Sequence, residues 1–273
     1  MKPCILLFIL VAFFYSCASP DRKPAGPDST GRKTDSVQAA PDSNATTKFQ
    51  PPAAEYFLDE QHFSVPPFGL DKIKALIPRI KWYDDSLSEQ TESDSLDQRS
   101  YDSLSFREKF TYNMIHPEGY SQMCDALPDH EREADRIYAF LPNLFGEFHW
   151  NDRQMAFFKD NRDSAVALIK ETVKSQGHIG INFQDVVVDL NATELIPTLA
   201  DIAHTETDNH YSLTVLMLLM KKNEYPEFMN SSSNSKLYIK ASDGRKQYLV
   251  YNKGNEDLII QRATNFYNGL AKN

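Results

Sequence analysis

The chain has 273 residues, with 29 Lys and Arg against 38 Asp and Glu, for a formal charge of −9. That balance disfavours contact with nucleic acid or anionic headgroups through a broad basic face, so no nucleic-acid partner is expected. With 41% hydrophobic residues, among them 17 Phe and 13 Tyr, the chain has enough apolar surface to build one core.

The first element in chain order is an export segment. Lys2 supplies a positive start, Ile5 to Phe14 run apolar without a charge, and the run ends at Phe14-Tyr15-Ser16-Cys17. Such a run is about half of the ~20 residues that a helix needs to cross a bilayer. Residues 1–16 therefore read as a signal peptide built for cleavage. The segment resembles the signal of a bacterial lipoprotein, with Phe14 and Tyr15 where the family's lipobox carries Leu and a small residue, an aromatic form closer to that of Bacteroidota. The likeness covers residues 1–17 alone. It implies that Cys17 becomes the first mature residue and carries acyl chains such as palmitate. The chain would then be held at a membrane of the cell envelope. Ala18 in place of a retaining aspartate points to the outer membrane, facing the periplasm or the surface. An ordinary secretory cut after Ser16-Cys17-Ala18 is the alternative. Because Cys4 leaves with the signal and Cys17 is acylated on the lipoprotein reading, Cys124 stands alone, and the fold must rest on its apolar core and not on disulfides.

Residues 17–54 form the lipidated N-terminus and a flexible linker, because Pro, Ser, Thr, Asp and Ala dominate and no apolar period appears before Phe49. A single mainly helical domain is expected over 55–273. Its entry, Tyr56 to Gly69, is aromatic and broken by Pro66-Pro67. Residues 71–77 predict a short helix ending before Pro78. An acidic, serine-rich loop follows over 84–102. Its aspartates lack the glycine and the ligand spacing of a calcium hand, so it reads as a solvated loop.

Phe106, Phe110 and Met114 give a helical stripe that His116-Pro117 ends. A helix is predicted over 131–141 on Ala134, Ile137, Tyr138 and Leu141, stopped by Pro142. Asn151 and Gln154 resemble a capping box. The segment 163–176 is the clearest helix, with Asp163 in its first turn, Lys174 in its last and Gly177 as C-cap. Residues 178–190 fit strand or helix, and helical neighbours tip the reading to a helix after an Asn182 cap. Thr193 is read as the N-cap of a helix to about Ala203, with Pro197 at the fourth position. Tyr211 to Lys222 is apolar nearly all round and is expected to be buried on several sides. The stretch 193–222 resembles a helical hairpin of the HEAT type, a loose likeness over about thirty residues. Leu237 to Lys240 and Gln247 to Tyr251 flank Asp243-Gly244 and predict a β-hairpin over 236–251. A final helix over 256–270 presents Leu258, Ile259, Ala263, Phe266, Tyr267 and Leu270. The expected fold is mainly α, a helical bundle or short stack of helical hairpins with a C-terminal β-hairpin and a last helix.

No chemical motif stands out. Cys124 with His116 or His130 lacks a spacing that favours a thiolate nucleophile, and His116, Glu118, Cys124 and His130 lack the paired spacing of a zinc motif. Asp201 and His204 share a helix face but supply only one half of a di-metal set. The separation that Asp189 and Glu194 would need for glycoside cleavage cannot be read from a sequence. Phosphate loops, nucleophile elbows and H-E-x-x-H are absent. The one cluster that a ligand groove would use is Phe145 to Arg153, with His149, Trp150 and Asp152 as binding candidates. The same residues also suit a loop that pins a helix start. The expectation is therefore a lipid-anchored envelope protein that binds and does not catalyse, with no cofactor and no metal. An envelope protein or peptidoglycan is the expected partner. A hydrolase of an envelope polymer, or an assembly subunit that uses the hairpin edge, are the alternatives.

Overall fold

The computed structural model describes residues 63–80, 95–121, 132–143, 145–146, 148–239 and 247–270. The signal, Cys17, the linker 17–54, residues 84–94 of the acidic loop, Cys124, His130 and the turn Asp243-Gly244 lie outside them. The described residues fall within one compact unit, Phe49–Asn273. It is mainly helical with two short antiparallel strand pairs, which is the class expected from the sequence.

Four helices make the centre. These are α5 (Arg162–Gln176), α6 (Ile181–Asp189), α7 (Ile196–Ala203) and α8 (Tyr211–Lys222). Two short helices, α9 (Pro226–Met229) and α10 (Ser232–Asn234), follow α8, which packs against α6, α7 and the last helix, α11 (Lys253–Leu270). Leu213, Val215, Leu216, Met217, Leu219 and Met220 are all fully buried, as the all-round apolar sequence requires. Each contributes on the order of 1.5–3 kcal/mol relative to exposure. α5 ends at Gly177, whose φ of 75° is the left-handed conformation that glycine adopts without strain. A 3₁₀ turn, Thr193–Leu195, precedes α7, so Pro197 falls in its first two residues and not at the fourth. There the missing N–H is one of the groups a helix start leaves unpaired anyway.

The N-terminal half surrounds this centre with α1 (Leu70–Leu76), α2 (Gln98–Asp102), α3 (Phe106–Ile115) and α4 (Asp152–Asp160). A 3₁₀ turn, Ile77–Arg79, carries the chain past Pro78. Residues 95–102, expected as solvated loop, are instead structured: Asp97 caps α2 by accepting from Ser100 N at 3.0 Å, and Leu96 and Tyr101 are buried. Ser105 and Glu108 form a full capping box at the start of α3, as do Asn151 and Gln154 at α4. Phe110 of α3 meets Phe158 of α4 and Phe183 of α6 edge-on at 6.5 and 5.8 Å, which joins the two halves of the core.

Two expected elements differ. The predicted helix 131–141 is, over its described residues, a 3₁₀ turn, Glu133–Asp135, followed by strand β2 (Arg136–Tyr138). Over its described residues the predicted hairpin does not pair with itself: Ser235–Ile239 is a π-helical turn, and β4 (Tyr248–Val250) pairs antiparallel with β2, matching Ile137 to Leu249. The physical reason is long-range. Thr214 Oγ1 on α8 donates to Tyr138 O at 2.9 Å, and Tyr238 Oη donates to Ala139 O at 2.7 Å. Meanwhile Leu237 is fully buried, which the helical turn permits. A second pair, β1 (Gly119–Tyr120) with β3 (Phe148–His149), holds the segment before α4. In α11 the helix begins at Lys253, three residues earlier than expected, and takes in Gly254 and Asn255. Leu258 and Leu270 face solvent, while Ile259, Ala263 and Phe266 face the core.

Candidate functional site

The candidates His149, Trp150 and Asp152 lie where β3 leads into α4, beside a polar network centred on Glu118. Glu118 is fully buried. Tyr112 Oη donates to its Oε1 at 2.6 Å, Asn151 Nδ2 to its Oε2 at 2.9 Å, and the Arg153 guanidinium to both oxygens. Arg153 also donates to Leu96 O at 2.9 Å and lies 4.2 Å over the Tyr101 ring. Gln154 Oε1 accepts from Glu118 N at 2.8 Å, and its Nε2 donates to His116 O at 2.8 Å. Burial pushes the Tyr112 hydroxyl up, and the Glu118 charge beside it pushes in the same direction, so the phenol stays protonated and donates.

Within this frame the binding candidates are largely structural. Trp150 Nε1 donates to Asn113 O at 2.6 Å, and the ring meets Phe145 and Phe158 edge-on. It pins the start of α4. The His149 ring is exposed and covers Gly119, where an added Cβ would come within 2.6 Å of Nε2. Asp152 is exposed in the first turn of α4, where a negative charge suits the helix dipole. Each polar group around Glu118 already has a partner, so the network orders the fold and presents no free acid or base.

The other sequence candidates are dispersed. His204 Nδ1 lies 2.7 Å from Glu256 Oε1 of α11, while Asp201 is exposed. Glu194 takes a bidentate pair from Arg162 at 2.7 and 2.8 Å, and Asp189 is exposed at the end of α6. Among the described residues no three His, Cys, Asp or Glu side chains gather as a metal site would require.

A different place has the shape of a ligand site. A cavity of about 230 Å³ opens where the turn 177–180 faces the loop 205–209, between the start of α6 and the start of α8. Its lining includes His178, Gln184, Glu206, Asp208 and Tyr211 together with Ile179, Ile181 and Ile202. Glu206 Oε1 accepts from Ser212 Oγ at 2.6 Å and Oε2 from Ser212 N at 3.2 Å, which ties the carboxylate to the first turn of α8. Burial pushes its carboxyl up to about 7 against the pull of those two bonds. Tyr211 Oη donates to Glu133 Oε1, so burial and that carboxylate raise the phenol and keep it protonated.

Gln184 is only 1% exposed. Its Nε2 donates to Ile179 O at 3.0 Å, which fixes the amide orientation because the reversed amide would set two acceptors together. Oε1 is left buried with no hydrogen-bond partner. Neither Gln184 nor Glu206 stands out in the sequence. The signal available there was small: a polar residue inside the apolar run of 179–190, and an acidic break between two apolar helices. Comparison of the chain with family models, curated proteins and solved structures finds no match.

Proposed function

We propose that this chain is a lipid-anchored cell-envelope protein that works by binding, with the cavity between the 177–180 turn and the 205–209 loop as its ligand site. The observation that carries the reading is a cavity of about 230 Å³ lined by polar side chains, among them His178, Gln184, Glu206 and Asp208. The Phe14 to Cys17 signal supports the address. Among the described residues no helix is long and apolar enough to cross a membrane.

The alternatives have less behind them. A hydrolase site at His149 to Asp152 would lack a free acid beside it, because Glu118 is held by Tyr112, Asn151 and Arg153. Assembly through the edge of β4 needs free backbone groups, yet Asn255 Nδ2 already donates to Val250 O at 2.7 Å. Metabolic labelling with an alkyne palmitate analogue tests the anchor. The wild type is expected to label and to sediment with membranes, and Cys17→Ser to do neither. For the binding role, a photocrosslinking residue placed at the exposed Asp208 is expected to capture an envelope component. An unlabelled, soluble protein that crosslinks to nothing overturns the reading.

A further inference from the structure

We infer that residues 63–68 form an exchangeable strap, and that the groove this strap fills also takes the same segment of a second copy of the chain, so that two copies trade straps and close into a dimer. Residues 63–67 form neither helix nor strand. They are held through their main chain by groups from distant parts of the fold. Asn182 of α6 uses its amide as a peptide group would: Oδ1 accepts from Ser64 N at 3.0 Å, and Nδ2 donates to Ser64 O at 2.9 Å. Gly180 N donates to Ser64 Oγ at 2.7 Å, and Gln176 Nε2, at the end of α5, donates to Val65 O at 2.8 Å. Thr111 Oγ1 of α3 donates to Phe68 O at 2.8 Å.

Phe63 adds an aromatic anchor. It packs with Phe145 and Phe148 in a cluster set apart from the main core, its ring centroid 6.1 Å from that of Phe145. The aromatic run 145–150, which the sequence marks as a ligand groove, is thus in part a pocket for a ring carried by an extended segment. Main-chain bonds together with a side-chain pocket are how a groove takes an extended peptide from another chain. Because the cluster is a satellite, Phe63 can leave it without opening the main core.

The strap's own sequence names the occupant. Every bond it makes in the monomer is offered unchanged by the groove of a second copy, so exchange conserves the contacts and costs only association and the rearrangement of the hinge. The hinge is Gly69, which turns the strap into α1 with a φ of 65°. A Cβ there would come within 2.6 Å of Glu108 Cγ, and a residue with a side chain is strained at this φ. Straightening the chain at Gly69 lifts the strap off its own groove. Pro66 and Pro67 have fixed φ and no N–H, so the released strap stays extended and does not fold back into a helix. Two reciprocal exchanges use the same two surfaces on each copy, which closes the assembly at two.

The test is photocrosslinking in the full chain. A benzophenone amino acid replaces the exposed Gln176 beside Val65, and this protein is refolded from urea together with wild type carrying a heavy isotope label, irradiated and digested. Peptides that join position 176 of a light chain to residues 63–68 of a heavy chain are expected, in a share that grows with protein concentration. Junctions to the strap that stay within the light isotope at every concentration overturn the exchange. So does the absence of any junction to residues 63–68, because the strap is then not in the groove. Gly69→Ala strains the monomer, and both hinges of the dimer shed that strain, so the variant is expected to raise the dimer association constant at least about tenfold. An unchanged or lower constant in folded Gly69→Ala overturns the hinge and the proposal with it. The wild-type strap in the crosslinking experiment decides the matter whether or not that variant folds.

Discussion

At the scale of single residues, the strongest commitment is the pair of Glu118 and Arg153, 35 positions apart in the chain. Glu118 is fully buried, and Arg153 is about three-quarters buried against it. Removing one partner leaves the other charge uncompensated in a low-dielectric site, at a cost of about 3–5 kcal/mol. Arg153→Ala is therefore expected to lower the urea midpoint sharply with an unchanged slope, while His149→Ala, on an exposed ring, shifts it by less than about 0.5 kcal/mol. A His149→Ala loss as large as that of Arg153→Ala would mean that the ring over Gly119 is a structural contact and not a surface one. None of this was legible in the sequence. Glu118 follows a proline at a helix end and looks like a surface acid, and only the folded chain brings Tyr112, Asn151 and Arg153 around it. Gln184 was hidden for the same reason, since an unpaired amide is a property of its surroundings. Trp150 was legible in part, because an aromatic beside a capping box commonly pins a helix start.

At the scale of elements, legibility followed the range of the forces involved. Local signals read true: Gly177 ends α5, the Asn151–Gln154 box opens α4, and the all-round apolar run of Tyr211 to Lys222 is the buried α8. Elements decided by distant partners did not. β2 carries a helical stripe but takes its partner from β4, about 110 residues on, and its anchor from Thr214. Asn182, expected as a cap, lies inside α6, whose N-cap is Gly180. Its side chain behaves as a strand partner for the entry segment: Oδ1 accepts from Ser64 N at 3.0 Å, and Nδ2 donates to Ser64 O at 2.9 Å and to Met114 O at 3.1 Å. Ser64 Oγ in turn accepts from Gly180 N at 2.7 Å. A Cβ on Gly180 would stand 2.0 Å from Ser64 N, so the glycine is needed for close approach and not for its φ. Asn182→Ala is expected to cost about 2–3 kcal/mol through three orphaned backbone groups. Gly180→Ala forces the two backbones apart, and is expected to cost at least as much. Hydrogen exchange localises the effect: faster exchange at Ser64 in both variants, with α8 protected, is the expected pattern. Uniform loss of protection across α8 would show that the entry segment is integral to the core and not docked upon it.

At the scale of the whole molecule, buried and half-buried carboxyls act in opposite directions on stability as pH changes. Glu256 lies at one end. Burial opposes its charge, but Lys253, the Tyr251 hydroxyl and His204 overcome that and hold its carboxyl down at about 2. Between about 4.5 and 2 the unfolded chain binds a proton that the folded chain does not, so this contribution is present above that window and is lost as pH falls through it. Glu206 and Asp185 act the other way. Burial holds both at about 7, and for Asp185 the like charge of Asp189 adds to the effect. From about 4 to 7 the folded chain keeps two protons that the unfolded chain has released, so stability falls as pH rises through that window. The net charge of −9 at neutral pH adds self-repulsion in the same sense. The unfolding temperature is thus expected to peak near pH 4.5 to 5 and to decline toward pH 8, unlike the broad neutral maximum usual for proteins whose carboxylates are mainly salt-bridged. A double variant, Glu206→Gln with Asp185→Asn, removes both retained protons, and is expected to flatten the decline above pH 5 while leaving the acid limb in place. Glu256→Gln is expected to weaken the acid limb and leave the decline. His210 opposes the decline, because burial pushes its imidazole down and its contribution grows as pH rises toward the usual histidine range, so the decisive comparison is with the double variant: if wild type and double variant share one slope from pH 5 to pH 8, the two carboxyls ionise freely in the folded chain.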